Sequence, residues 1–347
     1  MNRICIVTFS VSLLVLVMPG LLVAQQAEGQ RFDLTKRASE IDPAAKEYPK
    51  IGFVFADPKG KVLDLQHAVV DTRVKSEGKL VIWLMDHNQG LFERVSSYGL
   101  HGIQVHYANR WFSQLTKAQH DDGHSIGEIR LEAATGEDHS PHVSIEKPDS
   151  IAGRSIRFVQ WLSKHHPEGK WEQFLTKDGS DLLWDRVILA GISHGSTTAA
   201  RFAKHQKVER VVMFSGPRDN TENWQELPSA TPAHRYFGFT HVLDGGWTSD
   251  HYCRSWKMLG LPAYGEITNV EMIAAPYNNS RQLISMSDVM NNPGRAHTMV
   301  VPGGSAGKDG SGKFIHEEVW RYLFTHPVEK TGTPAPKDFS CEMRPQP

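Results

Sequence analysis

The sequence predicts an α/β fold with a mainly parallel central sheet and helices on both faces, and three observations support it. From Ile51 onwards, apolar segments of strand length alternate with amphipathic segments of helix length. The segment 79–86, KLVIWLMD, is apolar at successive positions, as a strand buried on both faces should be. The 347 residues, 39% hydrophobic and 22% charged, are enough to bury one large core.

Composition narrows the class of partner. The formal net charge is −1, and no block of like charges interrupts the chain. A chain without an overall positive field is not drawn to nucleic acid or to an anionic membrane surface. We therefore expect no nucleic-acid partner and a small or neutral substrate.

The first 24 residues have the composition of a secretory signal peptide. Arg3 is the only charge before the apolar segment 4–24, which Pro19 and Gly20 interrupt and the small residue Ala24 ends. We expect cleavage after about Ala24, export to the periplasm or the medium, and no stable membrane insertion afterwards. An uncleaved anchor is the alternative, because the apolar segment approaches the roughly 20 residues that a membrane span needs.

The rest of the chain divides by composition. Residues 25–49 are polar and unpatterned, so we expect a loose lead-in to a domain at 50–326, followed by an extended, Pro-rich tail at 327–347. Segments with the composition of strands are 51–57, 67–72, 79–86, 102–107, 187–190, 208–216, 235–242 and 269–274. Segments with a helical period are 90–99, 150–166, 196–204, 251–260 and 314–324. The stretch 109–148, rich in His, Asp and Gly, is expected to be irregular and to cover a site.

A serine stands at a sharp turn between a strand and a helix. Gly191-Ile192-Ser193-His194-Gly195 follows the apolar strand 187–190 and precedes the helix 196–204. Such a turn lifts the serine side chain out at the carboxyl edge of a sheet, and it crowds the positions two residues before and after the serine, where glycine lacks the Cβ. Ser193 is therefore the candidate nucleophile, and the backbone N–H of His194 is a candidate oxyanion donor.

An acid and then a histidine are expected later in the chain, each after a strand. Asp244 follows the strand 235–242, whereas its competitor Asp250 begins a helix and suits an N-cap. His297 lies in a predicted loop before a short apolar segment, whereas His316 lies inside an amphipathic helix. We predict His297 as the base and Asp244 as its orienting acid, although surface histidines are common in a chain with 18 of them.

The second oxyanion donor is expected from the loop after the third strand, LMDHNQG at 84–90. The backbone N–H groups of His87 and Asn88 are the candidates. The loop lacks a glycine-rich HGGG sequence, so its sequence leaves the choice between these amides open.

The order of strand, G-x-S-x-G, Asp and His resembles the α/β-hydrolase superfamily. Several segments within residues 50–325 resemble, more narrowly, a group of exported bacterial α/β-hydrolases of mostly unassigned function: SIAGRSIRFVQWL, GISHGSTTAARFAK, VERVVMFSGP, THVLDGG, SWKMLGLP, PYNNSRQLIS and GRAHTMVV. The resemblance implies that Ser193, Asp244 and His297 hold the triad positions. The chain departs from the group at 86–89, where relatives often carry a glycine-rich loop, and at 196–198, where Ser-Thr-Thr replaces glycines.

Three other groups of residues each have two possible interpretations. His and Asp residues could bind a transition metal, but their spacing matches no known template and fits a charged loop equally well: His120, Asp121, Asp122, His124, Asp138, His139 and His142. The segment 303–313, GGSAGKDGSGK, lacks the G-K-[ST] ending of a phosphate loop and is expected to be a mobile connection. Trp111, Phe112 and Trp247 suit either a pocket wall or the core.

Cys253 and Cys341 remain after removal of the signal peptide. In an oxidising compartment they could pair and enclose 87 residues, and two unpaired thiols are the alternative.

These observations favour a serine hydrolase that cleaves a small-molecule carboxylic ester through an acyl-enzyme, without a cofactor or a metal. Two alternatives are a catalytically inactive binding module with the same fold and a metal-dependent hydrolase. The oligomeric state and the acyl and alcohol groups are not determined by the sequence.

Overall fold

A computed structural model describes residues 29–115, 124–219, 223–303, 305–336 and 341. The predicted signal peptide lies outside these residues. Within them, nine strands form one sheet: β1 Arg31–Arg37, β2 Leu65–Asp71, β3 Leu80–Leu84, β4 His101–Gln104, β5 Val187–Ile192, β6 Arg210–Phe214, β7 Tyr236–His241, β8 Thr268–Asn269 and β9 Gln282–Ser285. The strand order is β1-β2-β4-β3-β5-β6-β7-β9-β8. The pairs β1–β2 and β2–β4 are antiparallel, and all other pairs are parallel.

Helices cover both faces of the sheet. In the described part of the chain they are α1 Ala38–Ile41, α2 Gln89–Ser97, α3 Trp111–Gln114, α4 Ser125–Thr135, α5 Ile151–His165, α6 His194–His205, α7 Gly245–Thr248, α8 His251–Met258, α9 Pro293–Thr298 and α10 Glu317–Thr325. Side chains of α5, α6 and α8 share one buried cluster with Leu80, Ile82 and Leu84 of β3. Side chains of α2 and α10 share a second cluster with Val81 and Trp83, on the opposite face of β3. The alternation along β3 confirms that this strand is buried on both faces.

The predicted fold class is therefore confirmed. A mainly parallel sheet lies between two helical layers, its second strand runs antiparallel to its neighbours, and a strand–Ser–helix turn follows the central strand β5. This is the α/β-hydrolase fold.

Two expectations at the start of the domain are wrong. The segment 51–57 contributes only isolated bridges, Tyr48↔Phe53 and Ala56↔Val62, because Gly52 turns the chain with a φ of 68°. Residues 25–49 are not loose throughout, since β1 lies within them and pairs with β2 over seven residues. Only Phe32 and Leu34 of β1 pack against the core, so the apolar–polar alternation that predicts a strand is too short to stand out in the sequence.

The predicted strand 269–274 is also wrong. β8 ends at Asn269, whose side chain accepts a hydrogen bond from the Glu271 N–H at 2.8 Å and turns the chain away from the sheet. The neighbouring strand is β9, which the sequence analysis missed. β9 is fully buried, but Gln282 and Ser285 make half of it polar, and the Gln282 amide donates to the Gly265 carbonyl at 2.7 Å.

The stretch 109–148 is more regular than expected. It holds α3 and the 11-residue α4, in which Arg130 and Glu132 are buried. The Glu132 carboxylate accepts hydrogen bonds from the N–H groups of His139, Ser140 and Ile145 and so holds the following loop against α4. Because buried Arg130 and Glu132 interrupt the apolar period of α4, the sequence pattern did not predict this helix.

The two candidate cysteines are joined. Cys253 on α8 forms a disulfide with Cys341, with their Cα atoms 5.6 Å apart, and the Cys341 side chain packs against the core. Among the described residues, no helix has the length and apolar content to cross a membrane.

Removing this disulfide should lower the free energy of unfolding. Cross-linking residues separated by 88 positions restricts the unfolded chain, and the chain-entropy model assigns such a loop at most about 4–5 kcal/mol. The Cys253→Ala/Cys341→Ala variant should unfold at lower denaturant concentration than the oxidised protein. Reductant should shift the midpoint of the wild type alone; equal midpoints for the variant and the oxidised protein would contradict the prediction.

His101 should make stability depend on pH. Its side chain is 2% exposed, and burial among Trp171 and Phe174 lowers its pKa to about 4 despite a hydrogen bond to the Gly169 carbonyl. The unfolded chain therefore binds a proton that the folded chain does not, between about pH 6.5 and pH 4. The stabilisation present above pH 6.5 should be lost as pH falls through this window, by up to about 3 kcal/mol.

The check is the difference in unfolding free energy between wild type and His101→Gln, measured across the same window. Glutamine can donate to the same carbonyl and does not titrate. A difference that stays constant with pH would refute a buried, neutral His101.

Candidate active site

Ser193 occupies a strained turn between β5 and α6. Its φ of 55° and ψ of −120° are unfavourable for a residue with a Cβ. A Cβ on Gly191 would lie 2.6 Å from the Gly195 carbonyl oxygen, and a Cβ on Gly195 would overlap the Leu84 carbonyl oxygen of β3. Both glycines are thus required by the close approach that the sequence predicted.

Hydroxyl groups of α6 stabilise the turn. The Ser193 carbonyl accepts hydrogen bonds from Ser196 Oγ at 2.7 Å and Thr197 Oγ1 at 3.0 Å, and Thr198 Oγ1 donates to the His194 carbonyl at 3.0 Å. The Ser-Thr-Thr sequence at 196–198 therefore helps to hold the strained backbone.

Asp244 and His297 are in direct contact. His297 Nδ1 lies 2.7 Å from Asp244 Oδ2, and the side chain of His297 is 24% exposed whereas that of Asp244 is 1% exposed. Asp244 Oδ1 accepts hydrogen bonds from the Gly246 N–H at 2.9 Å and the Tyr252 hydroxyl at 3.0 Å. Burial alone would raise the pKa of Asp244, but the hydrogen bonds from His297 and the Gly246 N–H outweigh it and hold that pKa below its usual value.

His297 lies in the short helix α9, not in the predicted loop. Asn292 caps this helix by accepting a hydrogen bond from the Arg295 N–H at 3.0 Å, and Pro293 begins it. The Asn-Asn-Pro-Gly sequence had favoured a loop, but asparagine followed by proline is also a good helix start.

Ser193 and His297 are both held at the end of β6. The Ser193 N–H donates to the Phe214 carbonyl at 2.9 Å, and Oγ of the next residue, Ser215, donates to the His297 carbonyl at 2.8 Å. The hydrogen bonds of the described residues include none between the Ser193 hydroxyl and His297. Contacts of this kind often shorten only when substrate binds.

His194 follows the serine and begins α6. Its ring lies 5.1 Å from that of Trp111 and 5.9 Å from that of Phe112, so both aromatics lie next to the turn. Trp247, in contrast, packs against Trp256 at 5.6 Å and belongs to the core. Burial, followed by the charge of Arg130, lowers the pKa of His194 well below its usual value, so its ring is neutral.

The loop after β3 contacts the turn through a residue that the sequence analysis did not name. A Cβ on Gly195 would lie 2.7 Å from Met85 Cγ. The His87 ring stacks on His67 at 3.9 Å, and Asn88 caps α2 by accepting from the Leu91 N–H at 2.9 Å. In the sequence, Met85 looks like one more apolar residue after a buried strand, so nothing in the pattern predicts that it contacts the turn.

A cavity of about 510 Å³ lies beside this loop. Its walls include Trp83, residues 85–90, Ile192, Thr298, Val301, Pro302, Gly303 and Ser305. Ile192 and Thr298, the chain neighbours of Ser193 and His297, line the cavity, whereas Ser193 and His297 themselves do not. The predicted oxyanion residues His87 and Asn88 both line it.

The competing residues lie elsewhere. Asp250 is at the N-cap position of α8, as expected, but with a φ of 61° and without a capping hydrogen bond from its side chain. His316 precedes α10, and its Nε2 lies 3.2 Å from both Glu271 Oε1 and Ser285 Oγ in a buried cluster. Neither takes part in the Asp244–His297 pair.

Among the described residues, no group of three or more His, Cys, Asp and Glu side chains could hold a metal ion. Of the residues considered as ligands, His120, Asp121 and Asp122 lie outside the described part. His142 Nε2 lies 3.3 Å from Ser125 Oγ, and His139 Nε2 lies 3.7 Å from Glu137.

Comparison with protein-family models gives no match, and comparison with curated proteins gives none. Solved structures that match include a lidless α/β serine hydrolase from Xanthomonas campestris, 10% identical, covering 75% of this chain and 84% of its own at a TM-score of 0.32. A thermostable esterase from Pseudomonas putida is 12% identical, with 76% of each chain covered and a TM-score of 0.31. Esterase B from Lactobacillus rhamnosis is 13% identical, with 78% and 79% covered and a TM-score of 0.32. Because these identities and TM-scores are low, the candidate site is assigned from the geometry of Ser193, Asp244 and His297 alone.

Replacing Asp244 and Asp250 in turn should show which of them is the acid that orients His297. In Asp244→Asn, the amide can present its N–H₂ to His297 Nδ1 and stabilise the wrong tautomer, and reactivity should fall about 10³- to 10⁴-fold. Asp250→Asn is the matched control and should stay within about threefold of wild type. The measurement is the rate of reaction with a fluorophosphonate; the reverse order of effects would make Asp250 the acid.

Proposed function

We propose that this protein is a serine hydrolase that cleaves a carboxylic ester, with Ser193 as nucleophile, His297 as base and Asp244 as the orienting acid. The observation that carries the proposal is the 2.7 Å contact between His297 and the buried Asp244, which lies at the same sheet edge as the strained turn at Ser193. A serine in such a turn is exposed to a substrate, and a histidine fixed by a carboxylate is a suitable base.

The proposed reaction has two halves. Ser193 Oγ attacks the ester carbonyl carbon while His297 Nε2 accepts the hydroxyl proton; Nδ1–H donates to Asp244 and fixes this tautomer. The tetrahedral intermediate then collapses, the ester C–O bond breaks, and His297 gives its proton to the leaving alkoxide. In the second half, water attacks the acyl-enzyme with its proton passing to His297, and Ser193 recovers a proton as the acid leaves.

The oxyanion would be held by backbone amides. The N–H of His194 lies at the N-terminus of α6, where helix amides carry partial positive charge. The second donor is proposed to be the N–H of His87 or Asn88, both on the loop that borders the cavity.

The cavity supports a substrate of small or moderate size. Its volume of about 510 Å³ lies within the usual range for small-molecule sites, and Trp83, Met85, Ile192, Val301 and Pro302 make much of its wall apolar. We propose that it receives an apolar acyl or alcohol group. The chemistry requires no cofactor.

Export to the periplasm or the medium is part of the proposal. The disulfide between Cys253 and Cys341 is consistent with it, since structural disulfides persist in oxidising compartments. A signal peptide at residues 1–24 would direct the chain there.

The test is labelling of purified residues 25–347 with a fluorophosphonate probe. The wild type should be labelled and should hydrolyse p-nitrophenyl esters, with a preferred acyl chain length. Val301→Trp, which narrows the cavity, should shift that preference to shorter acyl chains. Ser193→Ala should lose labelling and at least about 10³-fold in kcat, since the nucleophile is absent. Ser97→Ala, an exposed serine on α2, is the matched control and should behave as wild type.

A folded wild type that is not labelled and cleaves no ester would overturn the proposal. That outcome would favour a binding module with this fold, to which the departure at 86–89 also points. Activity that a chelator abolishes and Ser193→Ala retains would instead favour metal-dependent hydrolysis.

A further inference from the structure

A buried arginine contacts the first turn of the helix that follows Ser193. Arg130 lies on α4 with 2% of its side chain exposed. Its Nη1 donates to Thr198 Oγ1 at 2.9 Å and to the His194 carbonyl at 3.2 Å. A helix from the 109–148 stretch thus holds the residue next to the candidate nucleophile.

The orientation of the guanidinium is fixed from its other side. Arg130 Nε donates to Asp219 Oδ2 at 2.6 Å, and Nη2 donates to Oδ1 at 2.9 Å. Asp219 is also buried and accepts from the Trp224 indole N–H at 3.3 Å. This two-bond fork leaves Nη1 directed at α6, a geometry that lysine cannot reproduce.

The same nitrogen contacts the His194 ring. Nη1 lies 3.2 Å from His194 Nδ1 and 3.4 Å from Nε2. At these distances a position in the ring plane would overlap the ring carbons, so Nη1 lies over the ring face. The Trp111 ring lies 5.3 Å from Arg130 Cζ and 5.1 Å from the His194 ring. Arg130 and Trp111 therefore both restrict the His194 ring, and Arg130 also holds the His194 carbonyl.

We propose that Arg130 is a positioning residue for the oxyanion hole, which fixes the ring and the carbonyl of His194 at the start of α6 and so holds the residue whose N–H would face the oxyanion. The inference rests on the proposed function, which assigns that N–H to the oxyanion. The peptide group that carries the His194 N–H is held at its Ser193 carbonyl by Ser196 and Thr197. Arg130 and Thr198 hold the next carbonyl, that of His194, so together these bonds fix the backbone on both sides of His194.

The contribution should be larger in the transition state than in the ground state. The oxyanion carries negative charge only after attack, so an amide held in a fixed orientation lowers the barrier more than it strengthens substrate binding. Loss of Arg130 should therefore lower kcat and leave KM nearly unchanged.

The experiment compares kcat, KM and the rate of fluorophosphonate labelling in wild type, Arg130→Met and Arg130→Lys, with the p-nitrophenyl ester that the wild type cleaves best. In Arg130→Met, kcat and the labelling rate should fall about 10- to 100-fold, below the roughly 10²- to 10³-fold cost of removing an oxyanion donor, and KM should change less than about threefold. Arg130→Lys should recover part of the loss, because it keeps the charge without the fork.

Arg154→Met is the matched control. Arg154 is also buried, lies on the neighbouring helix α5 and pairs with Asp149 at 2.8 Å, among Phe53 and Phe55. Like Arg130→Met, Arg154→Met leaves a buried carboxylate, here that of Asp149, without its arginine partner and should reduce stability. Its kcat should nevertheless stay within about threefold of wild type.

Where Arg130→Met does not fold, because it leaves the Asp219 carboxylate buried without a partner, the Arg130→Met/Asp219→Leu variant removes both charges. A folded Arg130 variant with wild-type kcat would overturn the inference while leaving the proposed function intact, and so would an equal loss of kcat in Arg154→Met. A wild type inert towards the probe and the esters would overturn the proposed function and this inference with it.

Discussion

The close approach of Gly195 to the carboxyl end of β3 is the constraint on which the geometry of the site depends. It lets the chain leave β5 and begin α6 within one residue, so that Ser193 alone takes the unfavourable φ of 55°. Such a conformation costs on the order of 1–3 kcal/mol and persists only where surrounding contacts fix it. Here the contacts are the Ser193 N–H bond to Phe214 and the hydroxyl groups of Ser196 and Thr197, which bond to the Ser193 carbonyl.

The same sheet edge brings Asp244 and His297 together. β6 and β7 are parallel neighbours, so the residues after them, Ser215 and Asp244, leave the sheet on the same side. Asp244 can remain ionised in a buried position because Gly246, Tyr252 and His297 all donate to it. The carboxylate thus organises the turn that follows β7 as well as the ring of His297.

Sequence patterns predicted an element well where its burial was apolar and poorly where buried groups were polar. β3, β5 and β6 were evident as apolar strands, and α5 and α10 as amphipathic helices. β9 and α4 were missed because buried Gln282, Ser285, Arg130 and Glu132 break the apolar pattern. Each of these polar groups has hydrogen-bond partners distant in the chain, which local patterns do not show.

The sequence by itself determined the fold class, the turn around Ser193 and the chain order of the candidate triad, because these depend on local features: glycine spacing, apolar period and position after a strand. Only the tertiary structure decided that Asp244 contacts His297, that Cys253 pairs with Cys341, that Met85 abuts Gly195, and that Arg130 holds His194. These contacts join residues between 53 (Asp244–His297) and 110 (Met85–Gly195) positions apart in the chain. They form when sheet pairing and helix packing bring the segments together, and no spacing within either segment encodes them.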